Sequence, residues 1–148
     1  MKTRYKILIA ILVLAIAGLI TVYLYVFRTG QPDMFRLKTD YRIEATALYK
    51  EFEADEQAAT DKFAGKILEV SGSVESIEKN EWGHVTIAFI DPVFGVTCTI
   101  DSLQAMSQPE VVTALKSGDL IIIKGRCDGM LTDVKLVKCV LVTGNQKW

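Results

Sequence analysis

ILEVSGSVESI, residues Ile67 to Ile77, is where the periodicity of the chain changes and where its fold is decided. Leu68, Val70 and Val74 alternate with Glu69, Ser71, Ser73 and Glu75. That period of two turns one face of a strand to a core and the other to water. Gly72 falls on the apolar face, and a glycine inside a strand marks a bend or bulge where a sheet curls. Downstream the period persists. HVTIAFI (His84–Ile90) turns Val85, Ile87 and Phe89 inward, and VTCTI (Val96–Ile100) does the same with Val96, Cys98 and Ile100. LIIIKGRC (Leu120–Cys127) and DVKLVKCVLV (Asp133–Val142) bring the expected strands to five.

Upstream the pattern is helical. Tyr41, Ala45, Leu48, Phe52, Ala59 and Phe63 form one stripe of a 3.6-period helix over residues 40–64, interrupted only by Asp55. Thr39 or Asp40 can cap its start, and Gly65 suits the left-handed position after its end. A second helix is expected between the third and fourth strands. Ser107 and Glu110 have capping-box spacing, Met106 and Val111 sit as the flanking hydrophobic staple, and Gly118 is placed to end the segment. The order helix, three strands, helix, two strands is that of an OB-fold, a five-stranded Greek-key barrel. Closing the sheet removes exposed edges from strands that each carry one apolar face.

The N-terminus reads differently. Ile7 to Phe27 is 21 residues without a charge or a proline. As a helix it would measure about 30 Å, the thickness of a hydrocarbon core. Lys2, Arg4 and Lys6 precede it, and Tyr23, Tyr25 and Phe27 gather at its far end. These features predict a cytoplasmic N-terminus at residues 1–6, a transmembrane anchor at 7–28 and a stalk at 29–39. Residues 40–148 would then be an OB-fold domain facing the periplasm or the exterior of a plasma (inner) membrane. A leader cleaved after Ala15-Ile16-Ala17 is the competing reading, but it would leave an apolar mature terminus. Without the four basic residues of positions 1–28, 13 Lys and Arg face 18 Asp and Glu, a net of −5. A nucleic-acid binder normally carries the opposite field.

The segments AATDKFAGK, ILEVSGSVESI, GVTCTI, LKSGDLIIIKGRCDG and VKLVKCVLV together resemble the tRNA_anti-like family of bacterial OB-fold proteins. The resemblance covers about residues 43–142. It rests on the turn Phe63 to Lys66, the strand Val70 to Val74, and the run Gly118 to Gly129 with its Gly125, Cys127 and Gly129. It implies the barrel and a kinship with anticodon-binding domains, and it implies no reaction.

OB domains bind through the outer face of strands two and three and the loops beside it. Here that face carries His84, Thr86, Ala88, Ile90, Thr97, Thr99 and Asp101, small and nearly uncharged. Trp82, Phe94, Met130 and Leu131 are the large apolar groups in the adjoining loops, Trp82 either a stacking platform or, more commonly for a loop tryptophan, a cover over the barrel mouth. The candidate ligand-binding set is therefore Trp82, His84, Thr86, Phe94, Thr97, Thr99, Met130 and Leu131. Lys124, Arg126, Lys135 and Lys138 are expected as an outward basic patch. His84 is the sole histidine, and no nucleophile–base–orienter spacing accompanies it. A non-catalytic binding or scaffold module without a cofactor follows, its partner an envelope protein or glycan. Oligonucleotide binding is the alternative, reached through fold analogy.

Cys98, Cys127 and Cys139 all fall on inward positions, as buried thiols or as one disulfide and a free thiol. With a hairpin loop at Asp128–Asp133, Cys127 would lie opposite Val134, out of reach of Cys139, whereas Cys98 and Cys139 occupy strands that neighbour each other in an OB barrel. Zinc would need a fourth ligand that the spacing does not supply, so no metal site is expected.

Overall fold

The computed structural model describes residues 2–28, 33–91 and 93–142. It divides into two compact units, Met1–Pro32 and Asp33–Trp148. The first contains one α-helix, α1 (Lys2–Arg28). Among the described residues no helix is long and apolar enough to cross a membrane. This overturns the transmembrane assignment of residues 7–28 and the single-pass anchor built on it.

In the second unit the strand expectations hold and the helix expectations need correction. The residues expected as one helix over 40–64 form a short strand, β1 (Tyr41–Glu44), then α2 (Ala45–Ala54) and α3 (Glu56–Phe63). The break falls at Asp55, the one polar residue in the stripe. Its backbone is extended, and its carboxylate accepts the Ala58 N–H to cap α3. Tyr41 leaves the helix because β1 pairs in parallel with the start of β2 (Ile67–Lys79), Tyr41 opposite Leu68. The stripe still reaches the core: Leu48, Phe52, Ala59 and Phe63 are buried with the barrel residues in one cluster.

The barrel itself is β2, β3 (Val85–Phe89), β4 (Val96–Ile100), β6 (Val134–Leu141) and β5 (Leu120–Met130), closed by pairing of β5 with β2. The connection between β4 and β6 is parallel and the others in the ring are antiparallel. This is the OB topology, five strands in a closed ring with β1 added beside β2. Gly72 lies where the ring curls. A Cβ there would come within 2.9 Å of the Phe89 ring and 3.2 Å of the Ala45 methyl.

The helix expected after Ser107 is the short α5 (Pro109–Ala114), and a further short helix that was not expected, α4 (Ser102–Ser107), precedes it. The expected capping box is not made. Pro109 occupies the first position of α5, and the Ser107 hydroxyl donates to the Gln104 carbonyl instead of capping. Met106, expected as a staple, is exposed.

The stalk expected at 29–39 lies outside the described residues as far as position 32. From Asp33 the chain lies against the barrel. Met34 is buried, and Lys124 Nζ donates to the Leu37 carbonyl. Lys124 is consequently 7% exposed, which removes it from the expected outward basic patch. Residues 143–148 of the expected domain lie outside the described residues.

Candidate functional site

The expected ligand face is the outer side of β3 and β4. The two strands pair in register, Thr86 opposite Thr99 and Ala88 opposite Thr97. Val85, Ile87, Phe89, Val96, Cys98 and Ile100 fill the inner side, so the alternation leaves the threonines outward and half-buried. Thr97 is already engaged: its hydroxyl donates to the Asp133 carboxylate, which lies 3.9 Å from Lys135 Nζ. Thr86 and Thr99 form the open middle of the face, and both are half-exposed.

One end of this face is built by the β2–β3 turn. The Asn80 side-chain oxygen accepts the N–H of Trp82 at 3.1 Å and of His84 at 2.9 Å. The Asn80 N–H donates to the His84 carbonyl, and the Gly83 N–H donates to the Asn80 carbonyl, each at 3.0 Å. With Gly83 at φ +79°, these bonds hold a closed turn whose tip is Trp82, 76% exposed. Trp82 therefore does not cover the barrel mouth. It forms one wall of a groove of about 310 Å³ between this turn and α4–α5, with Lys79, Ser102, Met106, Pro109 and Val112 among the lining residues. Met106 and its neighbour Leu103 add two more exposed apolar side chains at this end.

His84 stands at the edge of this groove. Its Nδ1 is 3.7 Å from Asp101 Oδ1, beyond a hydrogen bond, and is buried without a partner among the described residues. The ring itself is about one-third exposed. An imidazole facing a carboxylate at that distance can orient a polar ligand.

The opposite end is made by residues 90–91 and 93–95 and the β5–β6 turn. Asp91 accepts the Phe94 N–H at 3.0 Å and the Val93 N–H at 2.7 Å. Those two backbone donors, Phe94 first, hold the Asp91 carboxyl below its ordinary value. The turn presents Val93 and Phe94 to solvent, 56% and 58% exposed. Gly95 permits the return into β4: a Cβ there would lie 2.4 Å from the Phe89 carbonyl oxygen. Leu131, at the tip of the β5–β6 turn, is 85% exposed, and the turn is tied to this end by the Val134 N–H donating to the Gly95 carbonyl at 2.8 Å. Met130 is different. It pairs with Val134 inside β5–β6 and packs against the core.

The structure thus gathers Trp82 and His84 at one end, Thr86, Thr97 and Thr99 between, and Phe94 and Leu131 at the other. Lys79, Leu103 and Val93 were not singled out from sequence, and Met106 only as a helix staple. A signal for Leu103 and Met106 existed, because α4 carries them three apart with no apolar partner stripe long enough to bury them. Among the described residues no group of three or more His, Cys, Asp or Glu is placed to hold a metal ion.

A family profile described as tRNA_anti-like matches residues 1–141 of the chain. No curated protein matches it significantly. Among solved structures, a proposed nucleic acid-binding lipoprotein from Klebsiella pneumoniae is similar with a TM-score of 0.53 and 18% identity, over 77% of this chain and 98% of that one. The asparaginyl-tRNA synthetase of Entamoeba histolytica, in complex with asparaginyl-adenylate, is similar over 57% of this chain and 22% of that one, with a TM-score of 0.43 and 15% identity. At such identities the likeness is one of fold.

Proposed function

The chain belongs to the tRNA_anti-like family, and on that premise we propose that its barrel is a non-catalytic binding module whose ligand is a segment of another protein. The observation that carries this reading is the pair of apolar ends, Trp82 with Leu103 and Met106, and Val93 and Phe94 with Leu131, on either side of a threonine face. Exposed tryptophan, phenylalanine and methionine are the side chains enriched in protein interfaces. The surrounding charge, −5 over residues 29–148, works against phosphate. Asn80 holds the Trp82 turn in place before any ligand arrives, which reduces the entropy lost on binding. The envelope location expected from the sequence is not part of the proposal.

A second reading, single-stranded oligonucleotide binding, is favoured by one observation. Trp82 is an open aromatic face beside Lys79 in the same groove, the stacking platform and cation that such ligands use. The test separates the two. A photo-crosslinking residue in place of Thr99 should trap a defined protein partner, and Trp82→Ala should weaken that complex about 30-fold, as loss of an interface anchor does. Fluorescence anisotropy with single-stranded DNA and RNA is the counter-measurement. Salt-dependent binding that Trp82→Ala abolishes would establish the second reading and overturn the first.

A further inference from the structure

Cys98, Cys127 and Cys139 are buried and free, which leaves the chemistry open to a partner on the surface. The groove beside Trp82 holds one feature that runs against strand alternation. Across β2–β3, Ile77 pairs with Ile87 and Lys79 with Val85. Ile87 and Val85 are buried on the inner side, and Ile77 packs against the core. Lys79 therefore continues the inner side of β2, at a position where the alternation calls for an apolar residue. There its side chain is exposed and lines the groove.

Facing Lys79 and Trp82, the helical wall of the groove is Ala105, Met106, Pro109 and Val112. Among the described residues that line the groove Lys79 alone is charged, and it takes part in none of the ion pairs. A volume of about 310 Å³ lies at the lower end of the range for ligand pockets, which suits one large side chain. The single cation in an otherwise apolar and neutral wall complements one negative group. The charge of −5 over residues 29–148 sets the other limit. It repels a ligand that carries a run of phosphates or carboxylates, and it repels a single carboxylate far less.

Resting on the reading of the barrel as a module for protein segments, we propose that this groove takes a large apolar side chain flanked in its own chain by one carboxylate. The apolar side chain lies between Trp82 and Met106, and the carboxylate meets the Lys79 ammonium. The (CH₂)₄ stem of Lys79 adds apolar surface to the same wall. Burial of the anchor supplies the affinity, and Lys79 supplies the choice among anchors by the charge beside them.

The full-length chain carrying Trp148→Phe, so that emission reports Trp82, is titrated with the capped hexapeptide Gly-Ser-Phe-Asp-Ser-Gly. The parent peptide should shift Trp82 emission saturably. Alanine in place of its phenylalanine should weaken binding about 30-fold. Asparagine in place of its aspartate should weaken binding about threefold, and lysine about tenfold. Lys79→Gln should bind the aspartate and asparagine peptides equally, and Met106→Ala should weaken both alike; circular dichroism checks that each variant is folded. No saturable shift up to about 5 mM peptide, or a preference for aspartate that survives Lys79→Gln, would overturn the inference. In either case a protein partner trapped by crosslinking at Thr99 would leave the binding module standing and remove only the ligand chemistry assigned to it. A single-stranded oligonucleotide that binds more tightly than the peptide and is lost with Trp82→Ala would overturn both.

Discussion

Phe63→Ala tests whether the α2–α3 hairpin is part of the barrel's cooperative core. Phe63 ends α3 and is 1% exposed. Its ring meets that of Tyr41 edge-on, centroids 5.3 Å apart at 78°, and lies 6.0 Å from Phe52. Lys62 Nζ sits 4.7 Å from its centroid. Truncation removes a buried ring, two aromatic partners and a cation–π contact, and leaves a cavity that helices anchored at both ends close only in part. Substitutions of this kind cost about 3–5 kcal/mol, and 4 kcal/mol is taken as the working value. The described part of the second unit, 33–142 apart from Pro92, is about 110 residues. At about 2.1 cal/mol/K per residue its unfolding entropy near the midpoint is about 0.23 kcal/mol/K, which turns the loss into a fall in Tm of about 17 °C. Circular dichroism melts and urea titrations of the variant measure this. A fall of less than about 5 °C, or a separate early transition for the helices, would refute the assignment of the hairpin to the core. Phe63→Leu, which keeps most of the volume, should cost below about 1.5 kcal/mol.

Two further expectations concern the turn that presents Phe94. Gly95→Ala should cost about 2–3 kcal/mol in a urea titration, since the added methyl meets the Phe89 and Asp91 carbonyl oxygens at 2.4 and 3.1 Å and both are backbone; a loss below about 0.5 kcal/mol would contradict that close approach. Asp91 stabilises the turn through the Phe94 and Val93 N–H groups, and its folded-state carboxyl is depressed below 3.8. Its contribution is thus complete above the unfolded value and is lost as pH falls through the lower folded value. The amide resonances of Val93 and Phe94 should stay constant from about pH 7 to 5 and move only below about pH 3.8. A midpoint above about pH 4 would show that the amides do not hold the carboxylate, and Asp91→Asn should abolish the titration while keeping an acceptor.

Trp82 and the Asn80 turn show how far the sequence could be read at the candidate site. Trp82, His84, Thr86, Thr97 and Thr99 were placed on or beside one face by strand alternation alone, and the structure puts them there. Whether Trp82 covered the barrel or stood clear depended on the Asn80 bonds and on where α4 lies, neither of which a local pattern contains. Met130 was read as part of a loop, but β5 runs three residues past Cys127 and takes it into the ladder. The groove beside Trp82 was not foreseen, because α4, which helps to wall it, precedes the helix that was expected to start at Ser107.

By itself the sequence determined the period of each strand, the inward positions of Cys98 and Cys127, and hence the barrel. Alternation is a property of the extended backbone and needs no distant partner. Tertiary structure decided the rest. Tyr41 became a strand residue because β2 offered it an edge, and Lys124 was covered because the distant Leu37 carbonyl accepts its ammonium. Cys139 turned inward past Leu136 only because a bulge at Lys138 and the absence of a side chain at Gly125 made the space. Each of those outcomes depends on residues far apart in the chain, and periodicity records only neighbours.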